Sequence, residues 1–169
     1  MTKKVYIFTL AVILGISSIT GCSGNEQLRT AKDGDTVLVH YKGTLEDGSV
    51  FDTSRDREPL EFILGSGSMI VGFDKAVHGM RVGDIKKVII PADEAYGQHR
   101  DDLVFMLERE TLPEGLEPTI GQQLEMSQAD GRSITVIVTD FSESSITVDA
   151  NHRLAGKELT FEIELIEIK

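Results

Sequence analysis

The chain has 169 residues, 40% of them hydrophobic, no Trp, and a formal net charge of −11. That length holds one domain, or one domain carrying a smaller second one. The acid excess excludes nucleic-acid binding, which needs clustered Lys and Arg, and excludes attachment to anionic lipid by charge alone.

Lys3 and Lys4 open the chain and precede an apolar run from Val5 to Ile19. A spanning helix needs ~20 apolar residues, so the run reads as an export leader rather than a span. It ends in Ile19-Thr20-Gly21-Cys22, and Cys22 is the single cysteine of the chain. The tetrapeptide resembles a bacterial lipobox, in which the Cys is acylated and becomes the first mature residue. The expectation is a signal peptide over residues 1–21, a lipid on Cys22 and a polar tether over residues 22–35. Two acyl chains suffice for stable membrane attachment. Ser23, not Asp, follows the anchor. In a Gram-negative cell that points to the outer membrane, facing the periplasm.

Thr36 to Tyr41 alternates, with Val37, Val39 and Tyr41 on one face, which predicts a strand. Asp47-Gly48 is a hairpin-turn signal. Leu60, Phe62 and Leu64 alternate again. Phe73, Ala76, Val77 and Met80 stand at i, i+3, i+4 and i+7 between Gly72 and Gly83, which predicts one short amphipathic helix. Lys86 to Ile90 reads as a strand closed by Pro91. Strand-like runs return at Gln123 to Ser127, Ile134 to Phe141 and Ile146 to Asp149, with turns at Ala129-Asp130-Gly131 and Ser142-Glu143-Ser144. The last run, Leu159 to Ile168, alternates throughout. Many short strands and one short helix predict an α+β fold with a mostly antiparallel sheet.

Several of these segments, in order, resemble FKBP domains. They are Val39-His40-Tyr41-Lys42-Gly43, Leu45-Glu46-Asp47-Gly48, Phe51-Asp52-Thr53-Ser54, Val71-Gly72-Phe73-Asp74 with Gly79-Met80-Arg81-Val82-Gly83, Ala95-Tyr96-Gly97, and Leu159-Thr160-Phe161-Glu162-Ile163-Glu164-Leu165. The resemblance covers about Asp33 to Gly97 and Asn151 to Lys169. It implies an FKBP domain over residues 36–97 and 150–169, a peptidyl-prolyl cis-trans isomerase, and an antiparallel sheet wrapped around the helix. Residues 98–149 intervene where the family has a loop, which is similar to the SlyD-type subfamily and its insert-in-flap chaperone domain. Asp149-Ala150-Asn151-His152 resembles the return from that insert.

The resemblance also assigns a site. Tyr41, Phe51, Ile70, Tyr96 and Phe161 are expected at the prolyl pocket, with Asp52 as its carboxylate. Leu60, Phe62, Met69 and Phe73 are expected along its walls and floor. Tyr96 is expected to donate its hydroxyl to the bound peptide, the Ile70 N–H to be a second contact, and Arg57 to orient Asp52. Phe73 stands where many relatives have Trp, and Leu60 where many have an aromatic. These departures bear on macrolide binding more than on isomerisation.

Rotation about X–Pro breaks no bond, so no cofactor and no metal is expected. His40, His78, His99 and His152 show no ligand spacing. In the insert, Leu103 to Leu107 is a dense apolar run. A buried strand explains part of it, and an exposed patch for unfolded chains explains the rest. Leu103, Phe105 and Met106 are therefore candidate client contacts. The expected partners are proline-containing, unfolded exported polypeptides, with the chain itself a monomer. A non-catalytic holdase on the same scaffold is the alternative.

Overall fold

The computed structural model describes residues 29–113, 115–127 and 131–169. The leader, Cys22, the first part of the tether and the turn residues Ala129 and Asp130 lie outside the described residues.

Two antiparallel sheets organise the chain. The first contains β1 (Thr36–Thr44), β2 (Val50–Thr53), β3 (Leu60–Ile63), β4 (Ile85–Ile90) and β9 (Leu159–Ile168). Its order is β2-β1-β9-β4, with β3 also paired to β1. β1 and β9 form the spine: Val39 faces Leu165, Tyr41 faces Ile163 and Gly43 faces Phe161. Period-two alternation puts Val37, Val39, Phe161, Ile163 and Leu165 on the buried face.

The helix α1 (Val71–Val77) lies on that face. Its stripe is as the spacing predicts for Phe73, Ala76 and Val77, all buried. Met80 lies beyond the helix end, in a turn closed by its N–H to the Val77 carbonyl, and is buried as well. A β-carbon on Gly72 would stand 2.3 Å from Ile90 Cγ2, so glycine lets the helix start against β4.

The second sheet contains β5 (Val104–Glu108), β6 (Gln123–Ser127), β7 (Ser133–Phe141) and β8 (Ser145–Asp149), in the order β5-β8-β7-β6. The fold is thus α+β, with an extra β-rich insert between β4 and β9. The insert core is thin: Val136, Val138, Ile146 and Val148 are buried, and Phe105, Leu107, Leu124 and Met126 pack against them.

One expected segment behaves differently. Residues 29–35, expected as part of a tether, are docked onto the first sheet's domain. Ala31 is 1% exposed, its N–H bonds the Met80 carbonyl at 2.8 Å and its carbonyl accepts the Gly79 N–H at 2.7 Å. Arg29 and the Lys32 N–H hold the Asp35 carboxylate. The reason is steric. A small apolar residue fills the slot beside Met80, and one alanine in a polar run leaves no periodic signal.

Candidate active site

Four rings meet on the buried face between α1 and the sheet. Phe73 and Phe161 are in edge contact, with centroids 5.2 Å apart and planes at 79°. Phe51 meets Phe161 edge-on at 5.5 Å, and Tyr41 meets Phe73 edge-on at 5.8 Å. Such T-shaped pairs are favourable because a ring's positive edge meets its neighbour's negative face. The elements explain the meeting. Tyr41 ends the inward-facing series of β1, Phe51 comes from β2 across the hairpin, Phe161 sits opposite Gly43 on β9, and Phe73 rises from the first turn of α1.

The rings enclose an open cavity of about 210 Å³. Of the residues expected at the site, Tyr41, Phe51, Asp52, Leu60, Met69, Ile70, Phe73, Tyr96 and Phe161 line it. Phe73 and Phe161 are 3% and 5% exposed, which makes them the floor. Phe62 does not line it. It lies behind Phe73 at 5.9 Å and is buried in the core: it shares the inward face of β3 with Leu60 but sits two residues farther along, where that face meets the helix. Arg57 also stands outside the lining, at 2.5 Å from Asp52. Ser68 lines the cavity and was not expected to. Its place directly before Met69 and Ile70 is the signal that could have found it.

The polar groups are already engaged. The Tyr41 hydroxyl donates to Asp52 Oδ2. The Thr53 N–H donates to Asp52 Oδ1 at 2.9 Å, and Arg57 donates to the same oxygen. Burial and the adjacent Asp52 charge push the Tyr41 phenol up to about 12. For Asp52, burial pulls the carboxyl upward. The donors Tyr41 and Thr53 and the Arg57 charge outweigh it and hold the group below its usual range. Neither group therefore changes protonation near neutrality, and the site has no poised acid or base. It is an apolar bowl with a fixed charge at its lip.

Two further groups reach the rim. The Ile70 carbonyl accepts from Phe73 and Asp74 at the start of α1, while its N–H bonds no described protein group. Tyr96, 41% exposed, follows a short 3-10 turn at Ala92–Glu94 and lies flat against His152. Among the described residues no cluster of three or more His, Cys, Asp or Glu could hold a metal.

The candidate client contacts lie on the insert, away from this cavity. β5 alternates, so Phe105 packs on the insert core while Met106, 73% exposed, points the other way. Leu103 is partly buried before the strand. A wider apolar hollow of about 740 Å³ opens beside Leu107, Leu112, Leu116, Leu124 and Met126. These residues are separated in sequence and gathered only by the β5-β8-β7-β6 order.

A model of the FKBP-type peptidyl-prolyl cis-trans isomerase family matches residues 27–166. The chain is 34% identical over 144 residues to the FKBP-type peptidyl-prolyl cis-trans isomerase SlyD of Helicobacter pylori, across 84% of this chain and 76% of that protein. It is 36% identical over 154 residues to a short-type peptidyl-prolyl cis-trans isomerase of Methanocaldococcus jannaschii, across 82% of this chain and 94% of that one. Against SlyD of Pasteurella multocida it is 30% identical over 130 residues, across 77% of this chain and 65% of the relative, just under two thirds of its length. The ring-lined bowl on a sheet-and-helix scaffold, the inserted second sheet and the matched length point one way: this chain belongs to the FKBP-type peptidyl-prolyl cis-trans isomerases, on their SlyD-like branch.

Proposed function

We propose that this chain accelerates cis-trans rotation about X–Pro bonds in incompletely folded exported polypeptides, held to a membrane by lipid on Cys22, with the inserted sheet retaining the client. The observation that carries the reading is the open aromatic bowl whose carboxylate is locked by three donors.

Rotation must break amide resonance, against a barrier of ~18–20 kcal/mol. Proline is the residue for which both isomers are populated, the trans preference being only ~0.5–1 kcal/mol. The planar amide is charge-separated and the twisted one is not. An apolar floor of Phe73 and Phe161 therefore disfavours the planar ground state more than the twisted state, which is differential binding. The Ile70 N–H and the Tyr96 hydroxyl, both at the cavity, are read as holding peptide carbonyls, which adds a positional contribution. Asp52, fixed beside Tyr41, supplies a constant negative potential without exchanging protons.

The insert is read as a client-holding surface. The hollow between Leu107, Leu112, Leu116 and Leu124 is apolar and open, and Met126 adds a side chain that adapts to different partners. Retention there raises the local concentration of proline segments at the bowl. Lys3, Lys4, the short apolar run and Ile19-Thr20-Gly21-Cys22 support export and lipid attachment, and Ser23 favours the periplasmic face of an outer membrane where the cell has one.

The test compares variants in the exchange of a short proline peptide. A Tyr96→Phe, Asp52→Leu double variant should lose most of the acceleration, while Met106→Ser, on the insert, should keep it. Full activity in the double variant sinks the roles given to Tyr96 and Asp52, and a wild type that leaves the exchange rate untouched leaves a client-holding scaffold.

A further inference from the structure

Tyr96 has no polar anchor: no described residue hydrogen-bonds its hydroxyl, and 41% of its surface is open. A half-exposed tyrosine on a loop samples several rotamers unless something packs its ring. The ring contact it makes is with His152, whose imidazole lies parallel to it at 4.0 Å and 7°. His152 is itself fixed. Its Nδ1 accepts the Leu154 N–H at 3.2 Å, and Leu154 is buried in the main core. Another bond between the same two segments ties the Gly156 N–H to the Gly97 carbonyl at 2.8 Å, one residue past Tyr96. Farther out, Asn151 bonds both the N–H and the carbonyl of Arg100.

We infer that His152 is a positioning residue for the isomerase site: its ring, carried on the segment returning from the insert, holds the Tyr96 phenol over the bowl so that the hydroxyl meets the peptide carbonyl. The inference rests on the isomerase reading and deepens it. It makes the two connecting segments one unit, in which the outgoing segment carries the donor and the returning segment carries the plate that orients it. Nδ1 is occupied as an acceptor, so the proton of the neutral ring is on Nε2, and the flat face is what His152 offers. A planar ring of similar size is the requirement, not a charge or a proton.

The experiment is a double-mutant cycle on the full chain, read as kcat/KM for a short proline peptide by NMR exchange, with Tyr96 ring resonances followed in parallel. His152→Ala should lower kcat/KM by about 3- to 10-fold, in the range an aromatic pair is worth. His152→Phe should restore most of it. In a Tyr96→Phe background, His152→Ala should cost almost nothing further, because its effect passes through the hydroxyl. The Tyr96 ring signals should lose their stacking shift in His152→Ala and regain one in His152→Phe. Equal losses in both backgrounds, or no rescue by Phe, overturn the positioning role while leaving the isomerase standing. An inactive wild type overturns the isomerase reading and this inference with it.

Discussion

The Phe51 ring lies directly over Gly43: a β-carbon at Gly43 would come within 2.5 Å of Phe51 Cζ and 2.9 Å of Cε2. Glycine at this place in β1 is therefore part of the bowl, although it contributes no surface to it. Gly43→Ala should push the Phe51 ring off its edge contact with Phe161. The cost should be about 1–3 kcal/mol of stability, as for other overpacked positions, together with a several-fold loss of kcat/KM. A urea titration and the ring-current shifts of Phe51 check this. Unchanged shifts would mean that the ring moves freely and does not define the wall.

The lip carboxylate sets the pH behaviour. Asp52 is held below its unfolded value of ~3.9, so its contribution is complete above that value and is lost as pH falls through the folded pKa. Tyr41 is raised to about 12 and is protonated throughout the physiological range. The pH profile of kcat/KM should be flat from about pH 5 to 8. Arg57 and Asp52 are 58% and 45% exposed at their side chains, so Arg57→Ala should cost less than ~1 kcal/mol and move the Asp52 titration upward. Carbon-13 NMR titration of Asp52 reads this directly.

The segments that enter and leave the insert are clasped by His99. Its Nε2 stands 3.0 Å from Asp149 and its Nδ1 3.5 Å from Asp101. The hydrogen bond to Asp149, then the two carboxylate charges, raise the His99 pKa above its ordinary value. A raised folded pKa means that the interaction is complete below ~6.5 and is lost as pH rises through the folded value. The His99 titration midpoint should lie above that of a free histidine and fall back in Asp149→Asn. Hydrogen exchange at Arg100 and Asn151, corrected for intrinsic rate, should be faster at pH 8 than at pH 6.

If the insert retains clients as proposed, its removal should separate two activities. Deleting residues 98–149 should slow catalysed refolding of a proline-limited protein by about tenfold or more, since the effective concentration of the client is lost. Exchange of a short peptide should stay within about threefold, as each ring of the bowl lies outside the deletion. Leu116→Asp, half-buried at the edge of the hollow, should give a milder version of the same split. Equal losses on both substrates would refute the division of labour.

Much of this architecture was legible because alternation is a direct readout of which face is buried. β1, β6 and β9 lie where Val37 and Val39, Leu124 and Met126, and Phe161, Ile163 and Leu165 place them. The bowl was legible through ordered motifs, not through any single residue, since Phe51 or Phe161 alone would read as core. Phe62 shows the limit: alternation says that it points inward, and only the position of α1 decides whether inward means floor or core. The docking of Ala31, the Tyr96–His152 stack and the hollow beside Leu116 depend on residues far apart in the chain. No periodic pattern encodes them. Within Leu103 to Leu107 composition hid the alternation, so Phe105 and Met106 read alike and face opposite ways.

The most direct test of the central claim is to add a substoichiometric amount of the full chain to a proline peptide and record two-dimensional exchange NMR and protein shifts in the same sample. Cis-trans exchange should be faster by at least about tenfold, with peptide-induced shifts centred on Phe73, Phe161 and Tyr96. An unchanged exchange rate, or shifts confined to the hollow of the insert, would contradict it.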